Sequence, residues 1–254
     1  MGEIFNTIFY QPLLNTLIFL WHFVAFKDLG VAIILLTILI RLVLFPLFQK
    51  SARQQTVMQR LAPEIKKIQQ DHKNHKEKQA QALMGLYRQH KVNPLGGFML
   101  ILVQLPIIFA VYRVILKGFS PEVLAANLYS FIPQPIQLDQ SFLGLIDLSK
   151  SSIFIIVLAA IGQYFQGRLS LPSKKTKEKQ ENQPKTSKPA LAEMINKQMV
   201  FIGPLMTIFI LGALPSAVGL YWLTTTLFSL GQQVIINKQI TKDKIKNGTT
   251  KYNN

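Results

Sequence analysis

The stretch that most constrains this chain runs from Leu29 to Gln49 and reads LGVAIILLTILIRLVLFPLFQ. It is almost entirely apolar and is long enough to cross a bilayer as one helix. It contains one charged residue, Arg41. A guanidinium near the middle of a spanning helix costs at least about 2.5 kcal/mol on insertion scales. Arg41 could snorkel toward Lys50, or it could face a polar cavity, and the rest of the chain must decide between the two.

Composition indicates a membrane protein whose charge is segregated. The 254 residues are 49% hydrophobic and have a mean hydropathy of +0.26, yet the formal net charge is +16. The absence of cysteine excludes disulfides, thiol nucleophiles, zinc-thiolate sites and the lipid-modified cysteine of a lipoprotein. The first residues, MGEIFNTIF, lack the basic region of a signal peptide and the composition of a transit peptide. We therefore expect a mature start.

The N-terminal segment, residues 1–28, is apolar but is interrupted by Pro12. At about 100° per residue its polar side chains fall in one sector, which predicts an amphipathic helix in the membrane interface rather than a further span. These side chains belong to Glu3, Thr7, Gln11, Asn15 and His22.

Residues 50–93 predict a helical hairpin that projects from the membrane. They carry ten Lys or Arg residues against three acidic ones. Apolar residues repeat at helical spacing on both arms, the polar run DHKNHK predicts the turn, and Pro63 predicts a kink in the first arm. The repeats are Met58, Leu61, Ile65 and Ile68 on the first arm, and Ala80, Leu83 and Tyr87 on the second.

The whole pattern predicts an all-α membrane protein with five spans. The predicted spans are 29–49, 94–116, 151–167, 199–213 and 216–237, and they are separated by an outer loop at 117–150 and a basic loop at 168–198. A basic tail follows at 238–254. The hairpin, the basic loop and the tail hold 23 of the 28 basic residues, which predicts that all three lie in the cytoplasm and that the N-terminus lies outside.

Motifs for catalysis are weak. His72, His75 and His90 could suggest a metal site, but a solvated surface is the better interpretation because the first two lie in a lysine-rich turn. The chain has no glycine-rich phosphate loop and no Gly-x-Ser-x-Gly elbow. We expect no enzymatic activity, cofactor or metal, and no sequence-specific nucleic-acid binding, because no basic module with interleaved aromatics is present.

Uncharged polar residues recur within the predicted spans. Each alone is best explained by an interhelical hydrogen bond worth about 0.6 kcal/mol. Together with two short spans and an arginine that lacks an intramembrane carboxylate, they predict a water-accessible concavity within the membrane. These residues are Thr37, Gln104, Gln163, Thr224, Thr225, Thr226, Ser229 and Gln232.

The order of these elements and a set of motifs resemble the YidC family of membrane protein insertases over nearly the whole chain. The motifs are specific only in combination. They are QPL at Gln11, RLVLFPL at Arg41, LAPEIKKI at Leu61, NPLGG at Asn93, QLPIIFAVYR at Gln104 and PSAVGLYW at Pro215. The resemblance implies a five-helix core around a hydrophilic groove that is open to the cytoplasm and to lipid, closed outside, and contains the arginine.

The resemblance also implies a substrate path between the first and fifth spans, which maps onto Thr37, Tyr221 and Trp222. Trp222 stands where the family often has a second tyrosine, so an aromatic face is kept and a hydroxyl is lost. With Arg41 and the polar residues Gln104, Gln163, Thr225 and Ser229, these form the predicted groove. Two departures are expected: an extra N-terminal span with a large periplasmic domain and a long basic ribosome-binding tail are both missing.

The expected function is insertion of other proteins into the bacterial plasma membrane from the cytoplasmic side. Expected partners are nascent membrane proteins and the lipid bilayer, and the ribosome, the signal recognition pathway and the Sec translocon are further candidates. A small anion channel or transporter that uses Arg41 is an alternative, although we find no internal repeat. A scaffold that binds cytoplasmic partners through the basic hairpin is a third interpretation, and it would not need Arg41.

Overall fold

The structure is a computed structural model that describes residues 2–93, 96–117, 119–136, 138–170 and 191–249. Side chains are described within these ranges except at 96–101, 170, 191–199 and 241–249. Most of the predicted basic loop at 168–198 and the end of the predicted tail lie outside the described residues, as does the start of the predicted span at 94–116.

The described chain is mostly helical, in agreement with the predicted all-α class. A π-helical turn at Asn6–Tyr10 separates the first two helices, and one two-stranded antiparallel hairpin pairs Ser141 with Asp147. The helices are α1 (Glu3–Phe5), α2 (Gln11–Phe23), α3 (Leu29–Val43), α4 (Phe45–Asp71), α5 (Lys76–Gln89), α6 (Gly96–Lys117), α7 (Pro121–Asn127), α8 (Ile153–Ser170), α9 (Leu191–Gly212) and α10 (Ser216–Thr249). The strands are β1 (Ser141–Phe142) and β2 (Ile146–Asp147).

The apolar stretch 29–49 is not one straight helix. Helix α3 ends at Val43, and α4 begins at Phe45 after a bend of 72°. Pro46 explains the break, because it has no amide hydrogen to donate to a carbonyl of α3. Arg41 therefore lies in the last turn of α3 and not in the middle of a continuous helix.

Within the described residues, no single helix is both long and apolar enough to cross a membrane, but the bent pair of α3 and α4 meets these requirements together. Two shorter apolar helical segments, Ile153–Leu169 and Val200–Gly212, accompany this pair.

The N-terminal helix packs into the main core. Leu14, Leu17 and Ile18 on α2 are almost fully buried in a cluster that also contains residues of α3, α6 and α10. Asn15, which the sequence placed in a polar face, is only 2% exposed, because its side chain binds the backbone of the segment after α7. Trp21 is also buried in this core.

Residues 119–136 and 138–150 lie against one end of the helices, which we call the loop end. The Asn15 amide donates to the Asn127 carbonyl at 2.8 Å, and its oxygen accepts the Tyr129 amide at 2.7 Å. The Ser216 amide, at the start of α10, donates to the Lys150 carbonyl at 2.7 Å. The segment is thus fixed to α2 and to α10 by hydrogen bonds between residues distant in sequence.

The β-hairpin is seated on the start of α3. Asp28 accepts the Val31 amide at 2.8 Å, which caps α3, and the Leu143 amide at 2.5 Å. Gly30 lets Phe142 approach, since a Cβ atom at position 30 would lie 2.2 Å from the Phe142 ring. Any side chain at position 30 is therefore excluded as long as the β-hairpin stays in this position.

Helices α8, α9 and α10 form a second packed unit. Gly162 and Gly219 permit close approach of the helices, because added Cβ atoms would lie 3.1 Å from Thr226 and 2.9 Å from Ile155, respectively.

Helix α10 continues to Thr249, beyond the predicted end of the fifth span at 237.

Residues 50–93 form two helices joined by a short turn at His72–His75, and we call this side of the molecule the hairpin end. Helix α4 runs through Pro63 without interruption. Leu61 is buried, as its place in the predicted apolar face of α4 requires. On α5 the buried residue is Leu86, whereas Ala80 of the predicted repeat is exposed.

Candidate functional site

The candidate site is centred on Arg41, which is only 7% exposed. Its guanidinium makes no hydrogen bond and no ion pair with any residue that the structure describes. Its close neighbour is an aromatic ring, since Cζ lies 4.3 Å from the centroid of Phe48. A buried cation without a carboxylate partner is costly, so the arrangement indicates a function rather than stabilisation.

Tyr221 on α10 lies close enough to Arg41 for an electrostatic interaction. The phenol is 4% exposed and accepts a hydrogen bond of 2.7 Å from Nε2 of Gln104 on α6. The structure therefore brings α3, α6 and α10 together at one polar cluster, made by Arg41, Gln104 and Tyr221.

Hydroxyl groups continue this cluster along two helices. Thr37, one turn before Arg41, is fully buried and donates to the Ile33 carbonyl at 2.6 Å. On α10, Thr225 Oγ1 is close to the Tyr221 phenol but forms no hydrogen bond of standard geometry with the described residues. Ser229, one turn further along, donates to the Thr225 carbonyl at 2.9 Å. The hydroxyls of Thr37 and Ser229 are thus used within their own helices, whereas that of Thr225 is left for another partner.

Two of the predicted groove residues have other neighbours. Gln163 on α8 faces α9, since a Cβ atom at Gly203 would lie 3.6 Å from Gln163 Cγ. Trp222 packs against the apolar cluster of α8 and α9 that includes Leu211. Trp222 and Tyr221 point in different directions, because successive residues of a helix are rotated by about 100° about its axis.

Sequence reasoning missed the aromatic neighbour of Arg41 and a polar connection near the hairpin end. Phe48 is apolar and lies beyond the bend, so nothing in its spacing indicates contact with a cation.

The polar connection near the hairpin end is made by two side chains of α10. Gln233 Nε2 donates to Thr56 Oγ1 on α4 at 3.0 Å, and Asn237 Nδ2 donates to the Leu169 carbonyl at 3.0 Å. These bonds connect α10 to both α4 and α8.

Apolar helices that enclose a buried arginine and a row of hydroxyls define an α-helical membrane protein with a polar site inside its helical bundle. Residues 20–244 match the family model described as the 60Kd inner membrane protein. The chain belongs to this family, and it is a membrane protein.

Relatives with the name membrane protein insertase YidC agree with this assignment. The relative from Pelobacter propionicus is 32% identical over 92% of this chain, and that from Magnetococcus marinus is 35% identical over 91%. The chain spans only 39% and 35% of the lengths of these two relatives. The relative from Fusobacterium nucleatum is 34% identical, and the match covers 84% of this chain and 87% of the relative.

Proposed function

We propose that this protein inserts other proteins into the bacterial plasma membrane and that Arg41 marks its substrate groove. Membership of the family supports the activity. The single observation that carries the groove is the burial of Arg41 without a hydrogen bond or ion pair to any described residue. A cation in that state can attract a negatively charged group that arrives from outside the chain.

The proposed arrangement has five spans, with the N-terminus outside and the hairpin of α4 and α5 in the cytoplasm. The excess of basic residues in the hairpin and in the segments after α8 and α10 supports this orientation. The loop end would then close the outer side, and the groove would open toward the cytoplasm and the lipid.

In this mechanism, the polar tail of a nascent membrane protein enters the groove from the cytoplasmic side. Arg41 attracts acidic residues of the tail, and the hydroxyls of Tyr221 and Thr225 replace part of the water that the tail loses. The apolar helix of the substrate then leaves sideways into lipid, driven by burial of apolar surface. In the proposed orientation the hairpin of α4 and α5 would project into the cytoplasm and receive substrates from the ribosome, the signal recognition pathway or the Sec translocon.

Rescue of a bacterial strain depleted of its own insertase tests the proposed activity. Expression of this chain is expected to restore growth and insertion of a short-tailed substrate, whereas the Arg41→Ala variant at equal membrane levels is expected to restore less. Purified protein in empty proteoliposomes is expected to conduct no anions, since an insertase has no substrate there. Failure of rescue together with an anion flux that depends on Arg41 would favour the transporter instead.

A further inference from the structure

The contact between Arg41 and Phe48 crosses the bend between α3 and α4. In a straight helix, residues seven positions apart are separated by a rise of about 10 Å. Here the bend of 72° lies between them, and the Phe48 ring is 4.3 Å from Cζ of Arg41. Phe48 itself is only 7% exposed, so water is largely excluded from the contact. Burial strengthens a cation–π interaction, because water then does not compete with the ring for the cation.

An aromatic ring and a carboxylate would affect the arginine differently. A carboxylate partner would neutralise the cation and use two of the five N–H donors, which project in the guanidinium plane. A ring stacked on the cation leaves the charge in place and uses none of these donors. An arginine held by a ring is therefore fixed in position and still able to bind a carboxylate through two hydrogen bonds.

We propose that Phe48 is a positioning residue that holds the Arg41 guanidinium through the face of its ring and leaves the N–H donors free for an acidic substrate tail. This inference rests on the proposed function for its substrate. The alternative is that Phe48 only fills space beneath the bend, in which case the electrons of the ring would have no effect.

Fluorination of the ring separates these two roles, because each fluorine weakens the negative potential of the ring face and changes the volume little. Phe48 would be replaced by monofluoro-, difluoro- and trifluorophenylalanine in the full chain. The modification rate of Arg41 by phenylglyoxal in native membranes would then be measured by mass spectrometry. We expect the rate to rise at each step, by about tenfold across the series, as loss of a buried cation–π contact implies. Equal rates in all forms would overturn the inference.

Phe45 provides a matched control. It lies in the same first turn of α4, and its ring meets the Phe228 ring edge-on at 6.4 Å instead of a cation. The same fluorination at Phe45 is expected to leave the Arg41 rate unchanged. Two ordinary substitutions give a second test: Phe48→Leu should raise the rate, and Phe48→Trp should lower it, because tryptophan binds cations best. A rise with both would show that shape alone matters and would also overturn the inference.

The chemical readout does not require insertion, so it separates this inference from the proposed function. With a substrate whose tail is acidic, the fluorinated forms are expected to insert progressively less, whereas a neutral tail is expected to insert equally well. If the Arg41 rate rises with fluorination while Arg41→Ala inserts both substrates normally, the positioning role of Phe48 stands and the proposed role of Arg41 in insertion fails. If the rate is flat while Arg41→Ala blocks the acidic tail, the proposed function stands and the role of Phe48 fails.

Discussion

At the loop end, buried polar side chains are paired with backbone groups, whereas at the candidate site Arg41 is buried beside a ring and has no polar partner among the described residues. Asn15 bonds both Asn127 and Tyr129, and Ser216 bonds Lys150 through its amide and its hydroxyl. At the candidate site the Thr225 hydroxyl is also buried and forms no bond of standard geometry with the residues that the structure describes. The first arrangement stabilises one conformation, and the second retains the capacity to bind another molecule.

This difference follows from the energetics of buried polar groups. A satisfied hydrogen bond contributes only about 1 kcal/mol net, but a buried donor or acceptor that loses its partner costs about 1–3 kcal/mol. Pairing at the loop end therefore penalises any movement of the 119–150 segment. The buried polar groups at the candidate site already carry that cost, and a bound molecule that supplied hydrogen bonds would recover it.

Asn15→Leu is expected to have the largest effect on stability. The substitution leaves the partly buried Tyr129 amide without its acceptor and removes one of two donors to the Asn127 carbonyl, which Gln11 Nε2 still reaches at 3.2 Å. The free energy of unfolding should therefore fall by up to about 3 kcal/mol. Unfolding in detergent, monitored by circular dichroism, measures the change. Thr16→Val is the control, because the Thr16 hydroxyl bonds only the Pro12 carbonyl of its own helix. Equal losses in both variants would show that the loop end is not held by Asn15.

Gly30→Ala is expected to cost about 2 kcal/mol, the typical penalty for overpacking, because the added methyl group would overlap Phe142. Hydrogen exchange of residues 141–147 should accelerate as the β-hairpin is displaced. Gly85→Ala on α5 is a matched control in which a Cβ atom meets nothing within 4 Å. That variant should be neutral or slightly more stable, since alanine favours helix. If hydrogen exchange at residues 141–147 were unchanged in Gly30→Ala, the contact of the β-hairpin with the start of α3 would be contradicted.

Thr56→Val is expected to have a smaller effect, about 1 kcal/mol, because it keeps the shape and removes the buried bond from Gln233 and the bond to the Ala52 carbonyl of the same helix. Gln233 can still donate to Asn237 at 3.3 Å. Faster hydrogen exchange in α4 around residue 56, without a change at the loop end, is the expected result. Faster exchange at both ends would mean that the two regions are not independent.

The smallest effect concerns Asp147, which is exposed. Hydrogen bonds from Ser149 and Lys150 lower the pKa of its carboxyl from 3.8 to about 2. Because the folded pKa lies below the unfolded value, the stabilisation is present above about pH 4 and is lost as the pH falls toward 2. Exchange of the Ser149 amide should therefore accelerate over this range in the wild type and show no such step in Asp147→Asn. A step in both would assign the change to another group.

The sequence indicated the polar residues of the candidate site but not the aromatic residue beside them. Charge and polarity within apolar runs identified Arg41 and Gln104, and the family resemblance implied Tyr221; the structure places these three side chains together. Phe48 could not be identified, because contact with Arg41 depends on the angle between α3 and α4, which local spacing does not determine. The predicted span at 29–49 ran through Pro46, whereas the structure has a break between α3 and α4 there.

The structure of residues 117–150 also escaped prediction. The predicted loop contains α7 and the β-hairpin, which are too short to produce a clear periodic pattern. Their positions depend on bonds such as Asn15 to Tyr129, which join residues more than a hundred positions apart. For Trp222 and Gln163, the residue type suits a groove, but the neighbours could not be read from the sequence. Gln163 lies on a face of α8 that contacts α9, and Trp222 packs against the apolar cluster of α8 and α9.

The most direct test compares insertion of two substrates that differ only in the acidity of their tails. Wild type, Arg41→Lys and Arg41→Ala would be compared at equal membrane levels. We expect Arg41→Ala to insert the acidic tail about tenfold less and the neutral tail nearly normally, as loss of a charge interaction of about 1.4 kcal/mol implies. Arg41→Lys should retain much of the activity, because the charge persists. Equal losses for acidic and neutral tails would contradict the electrostatic role of Arg41.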